Sequence, residues 1–218
     1  MDSFLKQSAE FLPILMQGLR LTIIVTVGSL VLSTLLGIVW ALMRVSGVGL
    51  LARLSRIIVN VIRGIPIIVQ LFYIYFVLPD VGVTLSALEA AIIGLGIAYS
   101  AYQAENFRAG IEAIDHGQVE AAQSLGMSWW MTMRRVILPQ AVKIVLPPYG
   151  NIMIMMLKDS SQASTITVAE LALQGKLIAS STFKNAEVFT LVALIYLCMS
   201  LPLILLVGRL ERHLTPKR

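Results

Sequence analysis

Apolar residues fall into five long stretches, and the polar residues between them form short islands. Residues 21–43 carry no charge. As a helix they are long enough to cross a hydrocarbon core of about 30 Å. Further stretches lie at about 57–79, 86–104, 144–166 and 188–208. This pattern predicts an all-α, polytopic membrane protein with five transmembrane helices. Ahead of the first stretch, Phe4, Leu5, Phe11, Leu12, Leu15, Met16 and Leu19 recur at helical spacing. That predicts an amphipathic helix over 1–20 on the membrane surface, restarted at Pro13. The second stretch has Arg63 near one end and is loosened by Gly64 and Pro66. The third is expected to run on into water, where Glu105, Arg108 and Glu112 can pair along one helix face. The fourth is irregular. Pro147-Pro148 is expected at its start, Lys158-Asp159-Ser160-Ser161 interrupts it, and residues up to Ala169 then carry no charge. The fifth holds a kink at Pro202.

Composition agrees with this reading. The chain is 57% hydrophobic and 13% charged, against about 45–50% and about 25% in soluble domains. It is read as one transmembrane domain over residues 1–218. An odd number of spans excludes two equal inverted repeats. Cys198 is the lone cysteine, so no intrachain disulfide can form. The first apolar run lacks a basic leader and a cleavage site, so no cleavable signal peptide is expected.

The net charge of +5 comes from dispersed residues with no basic, aromatic-interleaved run, so nucleic acid is not an expected partner. The charge reads instead as topology. Twelve basic residues would share a side with the 115–139 loop: Arg44, Arg53, Arg56, Arg63, Arg108, Arg134, Arg135, Lys143, Arg209, Arg212, Lys217 and Arg218. Four would lie opposite: Lys6, Arg20, Lys176 and Lys184. The positive-inside rule then puts that loop and the C-terminus in the cytoplasm and the N-terminus outside.

Residues 120–139, EAAQSLGMSWWMTMRRVILP, form the longest amphipathic island. Glu120 to Leu125 can make a short helix that Gly126 ends in the left-handed conformation. Ser128 can cap a second helix holding Arg134 and Arg135, which Pro139 stops or kinks. No phosphate-binding loop is present, because Gly175-Lys176 is followed by Leu177 and lacks the earlier glycine. The chain is therefore not expected to bind ATP by that device; if ATP drives it, the ATPase is a separate subunit, and no cofactor is expected on this chain. The two histidines, His116 and His213, lie in polar segments, which argues against a metal cluster or a membrane-embedded Ser/His/Asp hydrolase. No enzymatic role is expected.

The spacing of Glu120, Ala121, Ala122, Gly126, Leu138 and Pro139 resembles the EAA loop of ABC-importer permeases, with Val136 where that pattern has Ile. The resemblance continues through Arg63-Gly64-Ile65-Pro66, Gln70-Leu71-Phe72, Arg108-Ala109-Gly110-Ile111 and Leu157-Lys158-Asp159-Ser160-Ser161. These are similar to permeases for polar amino acids of the histidine and glutamine type, over residues 15–210. The resemblance implies a type I permease fold in a bacterial inner membrane. It also implies a second permease subunit (the same chain or a paralogue), two ATP-binding subunits, and a periplasmic or extracellular binding protein. Glu120, Ala121, Ala122 and Gly126 would dock on the ATPase and couple its closure to alternating access.

Lys158 and Asp159 fall near mid-membrane, where a charge costs about 3 kcal/mol unless paired or hydrated. They either form a Lys–Asp or an intersubunit pair that closes the bundle, or line a hydrated substrate path that meets the ammonium and carboxylate of an amino acid. Ser160, Ser161, Ser164 and Thr165 would supply hydroxyls, and Tyr99 and Gln103 would face them. Gln162 departs from the subfamily sequence and leaves the identity of the amino acid open. Two other classes remain at this level: a transporter or channel driven by an ion gradient, and a structural or sensory membrane protein. Neither accounts for the 120–139 island.

The charge asymmetry makes a direct prediction. In intact cells a cysteine placed at Gln118 should resist impermeant thiol reagents, and one placed at Thr182 should react. The reverse pattern overturns the orientation.

Overall fold

The computed structural model describes residues 2–214, with side chains from Glu10 onward. Lys217 and Arg218 of the basic tail lie outside the described residues, as do the side chains of Phe4, Leu5 and Lys6. Every regular element among the described residues is helical. Helix α1 runs without a break from Asp2 to Val45, straight through Pro13. The expected surface helix and the first span are therefore one helix. A proline is tolerated where neighbouring helices re-satisfy the freed backbone group.

Helix α2 (Gly49–Gly64) and helix α3 (Ile67–Phe72) replace the expected straight second span. A π turn at Tyr73–Val77 and a 3-10 turn at Leu78–Val81 extend α3. The two halves meet at 97°. Pro66 forces Ile65 into extended backbone, with φ −108° and ψ 129°. Gln70 Nε2 then donates to the carbonyls of Ile62 and Ile65, both at 2.9 Å, and staples the bend.

Helix α4 (Ala87–Glu112) is the central element. It runs parallel to α1, with Ile92 level with Gly28, Gln103 level with Gly37, and Glu105 within 3.9 Å of Arg44. Gly37 permits this approach, because a Cβ there would lie 2.6 Å from that of Gln103. By length and apolarity α1 and α9 (Asn185–Leu214) each qualify as spans, and the bent α2–α3 pair makes a third. The expected five is not reached on that criterion. Small and polar residues of α4, such as Gly94, Gly96, Ser100 and Gln103, face protein, so its hydropathy understates its depth.

Helix α5 (His116–Ser124) and helix α6 (Trp129–Thr132) form the loop after α4. A π turn at Met133–Ile137 leads into helix α7 (Leu138–Asp159), antiparallel to α4. Helix α7 starts nine residues before Pro147 and passes through both prolines, so the expected helix start there is corrected. Its regular winding ends instead at the 3-10 segment Ser160–Ile166. Helix α8 (Leu171–Thr182) follows, an element not expected from the sequence. Helix α9 passes through Pro202.

One core gathers Val25, Leu71, Leu95, Tyr99, Met156 and Ile166 around the middle of α4. A second joins Phe11 and Leu15 of α1 to α8 and α9. Leucine, valine and isoleucine stay exposed along the outer faces of α1 and α9, as lipid-facing helices require.

Candidate functional site

The loop builds as its residues dictate. Asp115 caps α5 by accepting from Gly117 N at 2.8 Å. Gly126 has φ +76°, and the loop closes there: Gly126 N donates to Gln123 O, and Met127 N to Ala122 O. This is the left-handed helix end expected at that glycine. Ser128 caps α6 by accepting from Met131 N. The second helix does not end at Pro139. It relaxes into the π turn, which carries Arg134 and Arg135, and continues as α7. Proline cannot donate to the preceding turn, so the winding adjusts there without a break.

Ile111, Ile114, Val119, Met133, Ile137 and Ala141 pack under this elbow. Ala122 is buried, whereas Glu120, Ala121 and Gly126 are exposed. Leu125 is 82% exposed at the tip. Gln140 Nε2 donates to Gln118 Oε1 at 2.6 Å and ties α5 to α7. Arg108 donates to Glu105 at 2.7 and 2.9 Å and also bridges Glu112, so the expected ion pairs form. Hydrogen bonding to Glu105 pushes the Arg108 guanidinium up from its ordinary pKa. The elbow is a packed, hydrogen-bonded projection with Leu125 exposed at its tip.

At the opposite end of α7, Tyr99 Oη donates to Asp159 Oδ2 at 2.7 Å. Tyr99 lies twelve residues into α4, about 18 Å along the helix. Lys158 and Asp159 do not pair. Adjacent helical residues point in different directions. Lys158 is exposed, with no carboxylate within salt-bridge distance among the described residues. Ser160 and Ser161 spend their hydroxyls on the carbonyls of Leu157 and Lys158, both at 2.7 Å. Thr165 bonds Gln162 O in the same way. Ser164 is half-buried with no such bond among the described residues. Gln103 does not join this group. It is fully buried against Gly37, and neither amide atom has a partner among the described residues. Tyr102 extends the group the other way, with its ring 5.8 Å from that of Tyr99 and the Arg63 guanidinium 5.6 Å from its centroid.

Sequence reasoning missed a buried carboxylate. Glu170 is fully buried and caps α8 by accepting from Ala172 N and Leu173 N, each at 2.9 Å. Tyr196 Oη donates to it at 2.8 Å, and Thr22 Oγ1 stands 3.3 Å away while accepting from Leu171 N. One side chain thus joins α1, α8 and α9. The signal was an acid at the end of a charge-free run. Caps are usually Ser, Thr, Asp or Asn, so Glu170 did not read as one.

Residues 33–218 match the family of binding-protein-dependent transport system inner membrane components. A probable amino-acid ABC transporter permease of Vibrio harveyi is 43% identical, with 86% of this chain and 85% of that protein covered. The glutamine transport system permease protein of Escherichia coli K12 is 36% identical, covering 93% and 94%. The crystal structure of an amino acid ABC transporter with histidines has a chain 40% identical, with a TM-score of 0.90 and 96% and 98% covered. A methionine ABC transporter chain shares the fold at 24% identity and a TM-score of 0.79. The chain belongs to this family of inner membrane transport components, and its fold is the type I permease fold.

The Glu170 node predicts a stability effect. Glu170→Ala leaves Ala172 N, Leu173 N and Tyr196 Oη without an acceptor, at about 1–3 kcal/mol for each buried donor. Purified protein should melt at a clearly lower temperature. Glu170→Gln, which keeps an acceptor oxygen, should lose less. Equal melting of all three proteins overturns the assignment.

Proposed function

We propose that this chain is the membrane-spanning subunit of an ATP-driven importer for polar amino acids. The observation that carries this reading is the packed elbow at Gly126, exposed at its tip and continuous with α7, on a chain similar throughout to amino-acid permeases. The chain performs no covalent chemistry. Two copies, or one copy and a paralogue, form the path. Two ATP-binding subunits seat the elbows on the cytoplasmic side, and a binding protein delivers the amino acid from outside. The N-terminus lies outside the cell.

In the proposed cycle ATP binding closes the two ATPases and carries the elbows with them. Exposed Glu120, Ala121 and Gly126 meet the ATPase groove, while Ala122 is buried on the inner side of the elbow. An apolar helix face in a groove is a familiar mode of recognition. The path passes Asp159 and Lys158, where the regular α7 helix gives way to the 3-10 segment. Interrupted helices near the midplane are where transporters tend to hold substrate. The unpaired Lys158 suits the carboxylate of an amino acid, and Asp159, held by Tyr99, suits its ammonium. Ser161 and Ser164 border that path. An ion-gradient transporter accounts for none of the elbow's features.

Two experiments test this reading. Gly126→Val forces a branched residue into the left-handed region, at about 1–2 kcal/mol, and Glu120→Lys reverses the charge on the exposed face. Both variants should insert normally and lose transport-coupled ATP hydrolysis by about tenfold or more. Full coupling in both removes the docking role. Separately, Asp159→Asn keeps size and removes charge. Uptake per assembled complex should fall while yield holds, and unchanged uptake per complex with lower yield makes Asp159 purely structural.

A further inference from the structure

A groove of about 460 Å³ lies at the loop end of the helices and shares Ile111, Met133 and Ala141 with the pad under the elbow. One wall is α1 from Thr34 to Leu42, the other is α7 from Leu138 to Tyr149, and Phe107 and Trp130 close the sides. Its volume falls in the range of small-molecule sites, about 300–1,000 Å³. Yet its chemistry is not that of a polar ligand. The Thr34 and Tyr149 hydroxyls lie 2.9 Å apart and satisfy each other, and the other walls are almost wholly apolar. An amino acid would find no partner here.

Dimensions and charge name a better occupant. The α1 wall spans eight residue steps and the α7 wall eleven, or about 12 and 16 Å at helical rise. Half of a hydrocarbon core of about 30 Å is the depth of one leaflet. Three cations neighbour the lining residues along the chain without lining the groove themselves. Arg134 and Arg135 lie between the lining residues Met133 and Leu138, and Lys143 follows the lining residue Val142. All three are exposed, and none has a carboxylate within salt-bridge distance among the described residues. The neighbouring charges cancel, because Arg44 and Arg108 are matched by Glu105 and Glu112. Trp130, 64% exposed, stands where an interfacial aromatic belongs.

We infer that this groove binds one acyl chain of an anionic phospholipid of the cytoplasmic leaflet, with its headgroup on Arg134, Arg135 and Lys143. Basic pockets between helices on the cytoplasmic side recognise anionic lipid in this way. The placement in that leaflet rests on the orientation proposed above. The lipid would then wedge between α1, α7 and the elbow, so leaflet composition would bear on how firmly the elbow is seated.

The test uses the assembled transporter with Trp40→Phe and Trp129→Phe, which leaves Trp130 as the sole tryptophan of this chain; tryptophans of the ATPase are likewise replaced. It is reconstituted in mixed phosphatidylcholine and phosphatidylglycerol vesicles, with brominated chains on one lipid or the other. Brominated phosphatidylglycerol should quench Trp130 more strongly per mole, by on the order of tenfold. Replacing Arg134, Arg135 and Lys143 together with Gln should erase that preference. Val142→Phe, which fills the groove from an exposed position, should reduce quenching by both lipids. Equal quenching by the two lipids, or a preference that survives the triple Gln variant, overturns the proposal. So does efficient cross-linking of Val142→Cys to the second permease subunit, which would mean that protein covers the groove. The readout is fluorescence, so uptake measured in the same vesicles reports separately on the transport reading.

Discussion

The hydrocarbon core of a membrane neither donates nor accepts hydrogen bonds, and this constraint governs where the chain can put its polar groups. Glu170 meets it with two backbone donors, a tyrosine and a threonine. Asp159 meets it through Tyr99. The serines and threonines of the 3-10 segment meet it by bonding carbonyls one turn back. Two groups stand apart. Among the described residues, Gln103 is sealed against α1 with its amide unpaired, and Lys158 is exposed with no carboxylate within salt-bridge distance. An exposed cation at mid-depth is intelligible where the surface it faces is a path or a second subunit, and not where it is hydrocarbon.

The same constraint explains the arrangement of helices. Helix α4 carries the glycines, serine and glutamine that lipid would penalise, so it sits inside, covered by α1, α2 and α7. Helices α1 and α9 carry the bulky aliphatic residues and lie outside. Glycine at position 37 lets α1 approach α4 at side-chain distance, which is how a small residue contributes to helix packing within a membrane. The 97° bend between α2 and α3 survives because Gln70 supplies the donor that Pro66 cannot.

Helix α7 connects the two candidate sites mechanically. Its 22 residues, about 33 Å of helix, have the elbow at one end and Asp159 at the other. The prolines at 147 and 148 lie within it without breaking it. In the proposed cycle a displacement of the elbow would reach the Asp159 end through this one continuous element. The π turn at Met133–Ile137 departs from regular winding between them, carries Arg134 and Arg135, and gives Met133 to the groove wall.

The sequence by itself determined whatever depends on local composition and periodicity. The apolar runs defined a helical membrane protein, the basic residues implied a topology, and Gly126 with Ser128 defined the elbow, because a left-handed turn and a helix cap are short-range properties. The ion pairs of Arg108 were legible for the same reason, being set by spacing on one helix. Tertiary structure decided what depends on a partner distant in the chain. It merged the surface helix with the first span, since Pro13 is tolerated only when neighbours cover the turn. It bent the second span, carried α7 through two prolines, and brought Tyr99 to Asp159. It brought Thr22 and Tyr196 to Glu170 from 148 and 26 residues away. No periodicity encodes such meetings. They follow from packing, where a buried polar atom must find its partner from whichever helix lies beside it.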